Sequence, residues 1–126
     1  MNPTKVEEDF VKAGAQKVTE QDVEKVVTKS EEIKRKFSTK GVLARFVQDG
    51  QLLLALVKDY RAGVYRNIPY GTITAIVFTL IYVLNPFDLM PDMLPVIGQV
   101  DDAAVISACL LLVEQDLHKY KNWKQS

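Results

Sequence analysis

Four aspartates in the stretch 85–102 are the residues whose type and spacing could support chemistry. They are Asp88, Asp92, Asp101 and Asp102. No lysine or arginine lies between Arg66 and Lys119, so the stretch contains no local cation to neutralise them. Hard cations such as Mg²⁺ and Ca²⁺ bind clustered oxygen ligands. The four carboxylates are therefore candidate ligands of a divalent cation, in a site that could serve binding or hydrolysis.

The same carboxylates can also be explained without a ligand. The first two can accept hydrogen bonds from backbone amides within the loop, and the last two suit the N-cap and first turn of a following helix. Pairing with Arg45, Arg61 or Arg66 from elsewhere in the chain is a third interpretation. The spacing does not match an EF-hand loop, and the sequence contains neither a glycine-rich phosphate loop nor a His/Cys cluster. Because the sequence contains none of these catalytic or metal-binding patterns, we favour a protein that is not an enzyme and has no resident cofactor.

The elements that must position these carboxylates are two helices, at 69–84 and 101–120. Both are apolar nearly all the way round in the segments 70–84 and 103–113, which is typical of helices that are central in a fold or face lipid. Each carries small residues four positions apart, and we expect these rows to face each other. The rows are Gly71, Ala75 and Thr79 on one helix and Ala104 and Ala108 on the other. The sequence therefore predicts a central antiparallel helix pair.

The connection between the two helices contains three prolines and a glycine, which are Pro86, Pro91, Pro95 and Gly98. Because each proline fixes its own backbone angle and restricts the residue before it, we expect a stiff structural corner.

Amphipathic helices precede this pair. We expect them at about 4–17, 20–37 and 41–62, with Thr19 and Asp22 forming a cap at the start of the second. Asp49-Gly50 is a point where the third could kink or split. The fold class is therefore all-α, a small bundle of about four to five helices in a single domain spanning 1–126.

Membrane insertion and a soluble core are both compatible with the apolar pair. A helix over 70–84 spans only about 22 Å, whereas the hydrocarbon core is roughly 30 Å thick. A homo-oligomer would relieve the burial demand in the soluble case.

The zero net charge argues against nucleic acid as a partner. The basic cluster is interpreted as a solvated helix face; it comprises Lys34, Arg35, Lys36, Lys40 and Arg45. The single cysteine, Cys109, and the polar first residues favour the cytoplasm or the cytoplasmic side of a membrane.

Several segments resemble the YkvA-like family, a bacterial domain of unknown function. The core motif runs from Tyr82 to Asp92, followed by Leu94–Gly98 and Val100–Val105, with further resemblance at Asp59–Arg61, Gly63–Pro69 and Tyr120–Trp123. The resemblance covers roughly 40–123 and leaves 1–39 as amphipathic N-terminal helices. It implies a small, helical, often membrane-associated protein with no established activity or catalytic residues. Our hypothesis is a non-enzymatic interaction or scaffold module, with a membrane surface or membrane protein as partner; a cation site and an integral membrane hairpin are the alternatives.

Overall fold

The fold is all-α, as predicted. The computed structural model describes residues 5–86 and 101–126. Within these ranges it contains seven α-helices, one 3-10 helix and no strand. The α-helices are α1 (Lys5–Ala15), α2 (Glu20–Thr28), α3 (Ser30–Thr39), α4 (Val47–Arg61), α5 (Tyr70–Leu84), α6 (Asp102–Leu112) and α7 (Glu114–Gln125), and the 3-10 helix is Gly41–Phe46. The count of seven exceeds the predicted four to five because two of the predicted helices are each divided.

Both divisions occur at a single residue that leaves helical geometry. Lys29 separates α2 from α3, with φ −98° and ψ 17°, and Val113 separates α6 from α7, with φ −108° and ψ 10°. Neither position carries glycine or proline, so the usual sequence signals of a helix end are missing there. The change of direction lets the apolar residues on both sides face the core, since Val26 and Ile33 are fully buried.

Gly50 does not split α4, contrary to the predicted break. The helix continues from Val47 to Arg61 through this glycine. A Cβ atom added at Gly50 would lie 2.8 Å from the ring of Phe37. The glycine is therefore explained by the close approach of α3 rather than by a kink.

The predicted antiparallel pair is formed by α5 and α6. Three contacts fix this orientation. Near the end of α5, Tyr82 lies beside Asp102 at the start of α6. Towards the start of α5, the Ala75 carbonyl oxygen lies 3.8 Å from the Cys109 Sγ, and the Thr72 hydroxyl donates at 2.6 Å to Asp116, just beyond α6. All residues of α5 from Ile73 to Leu84 are buried. None of the helices within the described residues is long and apolar enough to cross a membrane.

The small-residue rows are only partly at this contact. Ala75 and Thr79 face Cys109 of α6, and Ala104 and Ala108 are buried. Gly71 lies outside the contact: it is exposed, and no described atom lies within 4 Å of where its Cβ would be. The row on α5 therefore contributes two of its three members.

Helix α1, predicted at about 4–17, covers the pair. It packs on both α5 and α6. The ring of Phe10 meets Phe78 and Tyr82 edge-on, with centroid separations of 5.2 and 5.6 Å. Gly14 lies directly against the Phe78 ring. The chain's own helices thus bury α5, whereas Leu111 of α6 is 54% exposed. The homo-oligomer stays a prediction.

An aromatic corner joins α7 to the end of α4. It comprises Tyr65, Tyr120 and Trp123, whose ring centroids lie 4.8 to 5.9 Å apart. The Tyr120 hydroxyl donates to the Asp59 carboxylate at 2.6 Å, and Lys124 approaches the same oxygen at 3.2 Å. Burial, the hydrogen bond to Asp59 and the charge of Asp59 raise the pKa of Tyr120. Three separate segments of the family resemblance therefore meet at this corner.

Replacing Tyr120 with phenylalanine is expected to lower the free energy of unfolding by about 1.5 kcal/mol, because a hydrogen bond to a charged group is lost while the ring is kept. Urea denaturation measures this change. Tyr70→Phe is the matched control, since Tyr70 is exposed and its hydroxyl has no hydrogen bond within the described residues. Equal effects of the two substitutions would show that the Asp59 bond does not stabilise the fold.

Candidate functional site

Four lysines line a groove of about 740 Å³ beside the C-terminal end of α5. We call this the lysine groove. Its basic and acidic lining comprises Lys25, Lys29, Lys36, Lys40 and Glu32, and its other wall is Val83, Leu84, Asn85 and Pro86. Four lysines and one glutamate give the lining a formal charge of plus three. It is also where the described part of α5 leads into the proline-rich stretch.

Helical periodicity places the four lysines together. They are separated by four, seven and four residues, spacings that keep side chains on one face of a helix. The adjacent face carries Val26, Ile33 and Phe37, which are buried in the core. Because the apolar face docks α2 and α3 against the rest of the bundle, the lysine face is held at the edge of that contact.

Part of this positive charge has a structural explanation. The last turn of α5 carries no basic residue of its own, and a helix C-terminus favours nearby cations. Lysines from α2 and α3 supply that charge. Within the described residues, however, no carboxylate lies within ion-pair distance of Lys29 or Lys36. The groove therefore holds more positive charge than the described carboxylates neutralise.

Lys40 of the groove forms an ion pair with Asp102. Its Nζ lies 3.0 Å from Oδ2 of Asp102 in the first turn of α6. The same carboxylate faces the hydroxyl of Tyr82. Burial, followed by the charge of Asp102 and hydrogen bonding to it, raises the pKa of Tyr82. Asp102 therefore ties the groove to the α5–α6 pair.

Asp101 has the helix-capping role predicted for it. Its Oδ1 accepts a hydrogen bond from the Ala103 backbone N–H at 2.9 Å, and its own backbone is extended. A side-chain oxygen in this position satisfies one of the unpaired amides at a helix start. The interpretation of Asp102 as a first-turn acid also holds, since α6 begins there.

The four-carboxylate cation site stays a prediction. Asp88 and Asp92 lie outside the described residues, as do Pro91, Pro95 and Gly98. In the two described ranges, no group of three or more His, Cys, Asp or Glu side chains could hold a metal ion. The two described members of the proposed quartet point to different partners, a backbone amide for one and a lysine for the other.

The arginines considered as partners of the aspartates have other contacts. Arg61 pairs with the Glu24 carboxylate, Arg66 lies 4.4 Å over the ring of Tyr60, and Arg45 lies 4.6 Å over the ring of Phe46. Of Asp101 and Asp102, only Asp102 has a cationic partner within the described residues, and that partner is Lys40. Lys40 and Lys36 had been interpreted only as parts of a solvated helix face.

The lysine groove was not predicted as a unit, although its signal is present in the sequence. The apolar stripe of α2 and α3 is the stronger pattern, and the predicted basic cluster comprised residues that are neighbours in sequence. Following the lysines themselves at helical spacing would have joined Lys25 and Lys29 to Lys36 and Lys40. What it could not have supplied is the opposite wall from α5, which is distant in sequence.

Comparisons with known proteins agree with the resemblance seen in the motifs. Residues 72–108, which include most of α5 and α6, match the family model described as "Protein of unknown function (DUF1232)". The uncharacterized membrane protein YkvA of Bacillus subtilis (strain 168) is 29% identical over 69 residues. Over this part of its length the chain is similar to the YkvA-like family. The match spans 55% of the chain and 65% of that relative's length. The search of solved structures gave no significant match.

The YkvA-like segment identified by the family model contains the buried hairpin but not the lysine groove's basic wall. The groove lysines lie at 25–40, before residue 72. The family model thus matches most of α5 and α6, and α2 and α3 lie outside the matched residues and pack against α5.

Proposed function

We propose that this YkvA-like chain is a non-enzymatic helical module that associates with the surface of a membrane. The observation that carries the proposal is the burial of the apolar helix α5 by the chain's own helices. Every residue from Ile73 to Leu84 is buried, with α1, α2, α3 and α4 packed on α5. Lipid contact would then use the outer surface of the bundle, where charged side chains are concentrated.

The relative described above supports a membrane location, since it is named a membrane protein. An integral hairpin is the competing interpretation. Insertion of α5 and α6 into lipid would require α1 to leave the Phe10–Phe78 and Gly14–Phe78 contacts. It would also expose to lipid the Lys40–Asp102 ion pair at the start of α6, which is costly in a hydrocarbon environment. Surface association keeps both intact.

Vesicle flotation tests the proposal. The full chain, purified without detergent, is mixed with vesicles containing an anionic phospholipid or only phosphatidylcholine, and floated through a density gradient. We expect it to float with the anionic vesicles and to be released by high salt, because attraction between surface charges is screened. Circular dichroism of the released protein should show the same helical content as before binding.

Two results would overturn the proposal. If the chain floated with neither vesicle type, the proposed membrane association would be wrong. Flotation that resists both high salt and alkaline carbonate would instead establish an integral hairpin, since inserted helices are not extracted by these treatments.

A further inference from the structure

We propose that the lysine groove and the neighbouring Val42 form a contact surface for the headgroups of anionic phospholipids. This inference rests on the proposed membrane association and names the site and ligand that would produce it. The ligand chemistry is a phosphodiester at a lipid surface, with one apolar side chain entering the interface beside it.

Lys29 and Lys36 supply the excess positive charge of the lysine groove. Both line the groove, and neither has a carboxylate within ion-pair distance in the described ranges. The chain as a whole has zero net charge, so this excess is local and does not reflect a generally basic protein. A compact ammonium group is well suited to a phosphate oxygen.

Val42 supplies the apolar part of the surface. It is 63% exposed on the 3-10 helix, whereas its neighbours Leu43 and Phe46 are buried and anchor that helix to the core. Val42 follows Lys40 by two residues, so the backbone separation is at most about 7 Å. An exposed apolar side chain close along the chain to cations is the combination that interfacial membrane contacts use.

A lipid surface fits these features better than a free phosphate ester or single-stranded nucleic acid. A free phosphate would make no use of the exposed Val42. Single-stranded nucleic acid binds by stacking its bases on aromatic side chains, and the described residues lining the groove include none. An anionic lipid headgroup lies next to the apolar interior of the membrane, so it can engage both the groove lysines and Val42.

The first experiment removes the charges of Lys29 and Lys36, which have no carboxylate partner within the part of the chain that the structure describes. Binding of the full chain to phosphatidylglycerol-containing vesicles is measured by flotation for the wild type and for the double variant Lys29→Gln/Lys36→Gln. Each basic residue near an anionic membrane strengthens binding by about fivefold, so the pair should change the partition coefficient by about 25-fold. The matched control is Lys119→Gln/Lys121→Gln, which removes the same charge from the exposed face of α7. The control should change binding by less than about threefold.

The second experiment tests the apolar contact. Val42→Ser is expected to weaken vesicle binding by about fourfold, because a partly inserted side chain loses its transfer from water. Val64→Ser is the matched control: Val64 is similarly exposed, at 60%, but lies beyond the opposite end of α4. Thermal melts of all four variants check that each stays folded, which their exposed or edge positions favour.

The outcomes separate the site from the proposed function. Flotation of the wild type with an equal loss in the groove and control double variants would overturn the groove and leave membrane association standing. Displacement from vesicles by millimolar glycerol phosphate would assign the groove to a free phosphate ester. Tighter binding to single-stranded RNA than to vesicles would assign it to nucleic acid. A fall in melting temperature on Lys29→Gln/Lys36→Gln, with unchanged flotation, would show that another part of the chain neutralises the groove.

Discussion

Replacing Gly14 with alanine is expected to lower the free energy of unfolding by about 2–3 kcal/mol, because an added methyl group overpacks the core. A Cβ atom at this position would lie 2.1 Å from Cε1 of Phe78. The ring cannot easily move aside, since Phe78 is buried and meets Phe10 at 5.2 Å. Helix α1 must therefore shift outward from α5. The effect outweighs the gain of about 1 kcal/mol that alanine normally brings to a helix.

Gly71→Ala is the control for this experiment. Gly71 is also helical, but a Cβ there meets no described atom within 4 Å, so its stability should be unchanged or raised by up to about 1 kcal/mol. Urea denaturation gives both free energies, and hydrogen exchange of the α1 amides locates the change. A stabilising effect of Gly14→Ala would mean that α1 does not pack on Phe78 in solution.

Both ends of α5 and the start of α6 could be predicted well because strong local signals mark them. Pro69 precedes the first residue of α5, and Pro86 forces the chain out of helical geometry after Leu84. Asp101 caps α6 through its side chain. At the start of α2, the Asp22 carboxylate accepts the Thr19 backbone N–H at 2.8 Å, as the capping pattern indicated. These features act within a few residues, so the sequence alone contains them.

Features that depend on distant parts of the chain could not be predicted in the same way. Glycine lowers the helix propensity of α1, yet Gly14 is required there by a ring from α5. The turns at Lys29 and Val113 have no local cause in glycine or proline; they let each half of a divided helix reach the core. In these places tertiary packing decides the outcome over propensity.

The candidate site shows the same division. The acidic residues attracted attention because they are close in sequence, and the capping role of Asp101 was accessible from local rules. The partner of Asp102 was not, because Lys40 lies 62 positions away. A surface built from α2, α3 and the end of α5 is recognised only when these elements are seen together. The lysines were each visible, but their common groove was not.

Raising the pH from 9 to 11 is expected to lower the free energy of unfolding by about 1.9 kcal/mol through Cys109 alone. Burial raises the pKa of Cys109 from about 9 to about 11, and a hydrogen bond with Thr79 partly opposes this. The thiol stays protonated in the folded state while the thiol of the unfolded chain ionises. Its contribution is therefore complete below pH 9 and is lost as the pH rises through 11. The pKa values of Tyr82 and Tyr120 are also raised, which adds a further loss above about pH 10.

Cys109→Ser isolates the cysteine contribution, because a serine hydroxyl does not ionise in this range yet can donate to the Ala75 carbonyl as the thiol does. The free energy of unfolding is measured by urea denaturation at pH 7, 9, 10 and 11 for both proteins. The variant should lose about 1.9 kcal/mol less than the wild type between pH 9 and 11. Parallel curves would mean that the thiol reaches water in the folded state. Since Cys109 lies where α5 meets α6, that result would also contradict the closed hairpin on which surface association with a membrane depends.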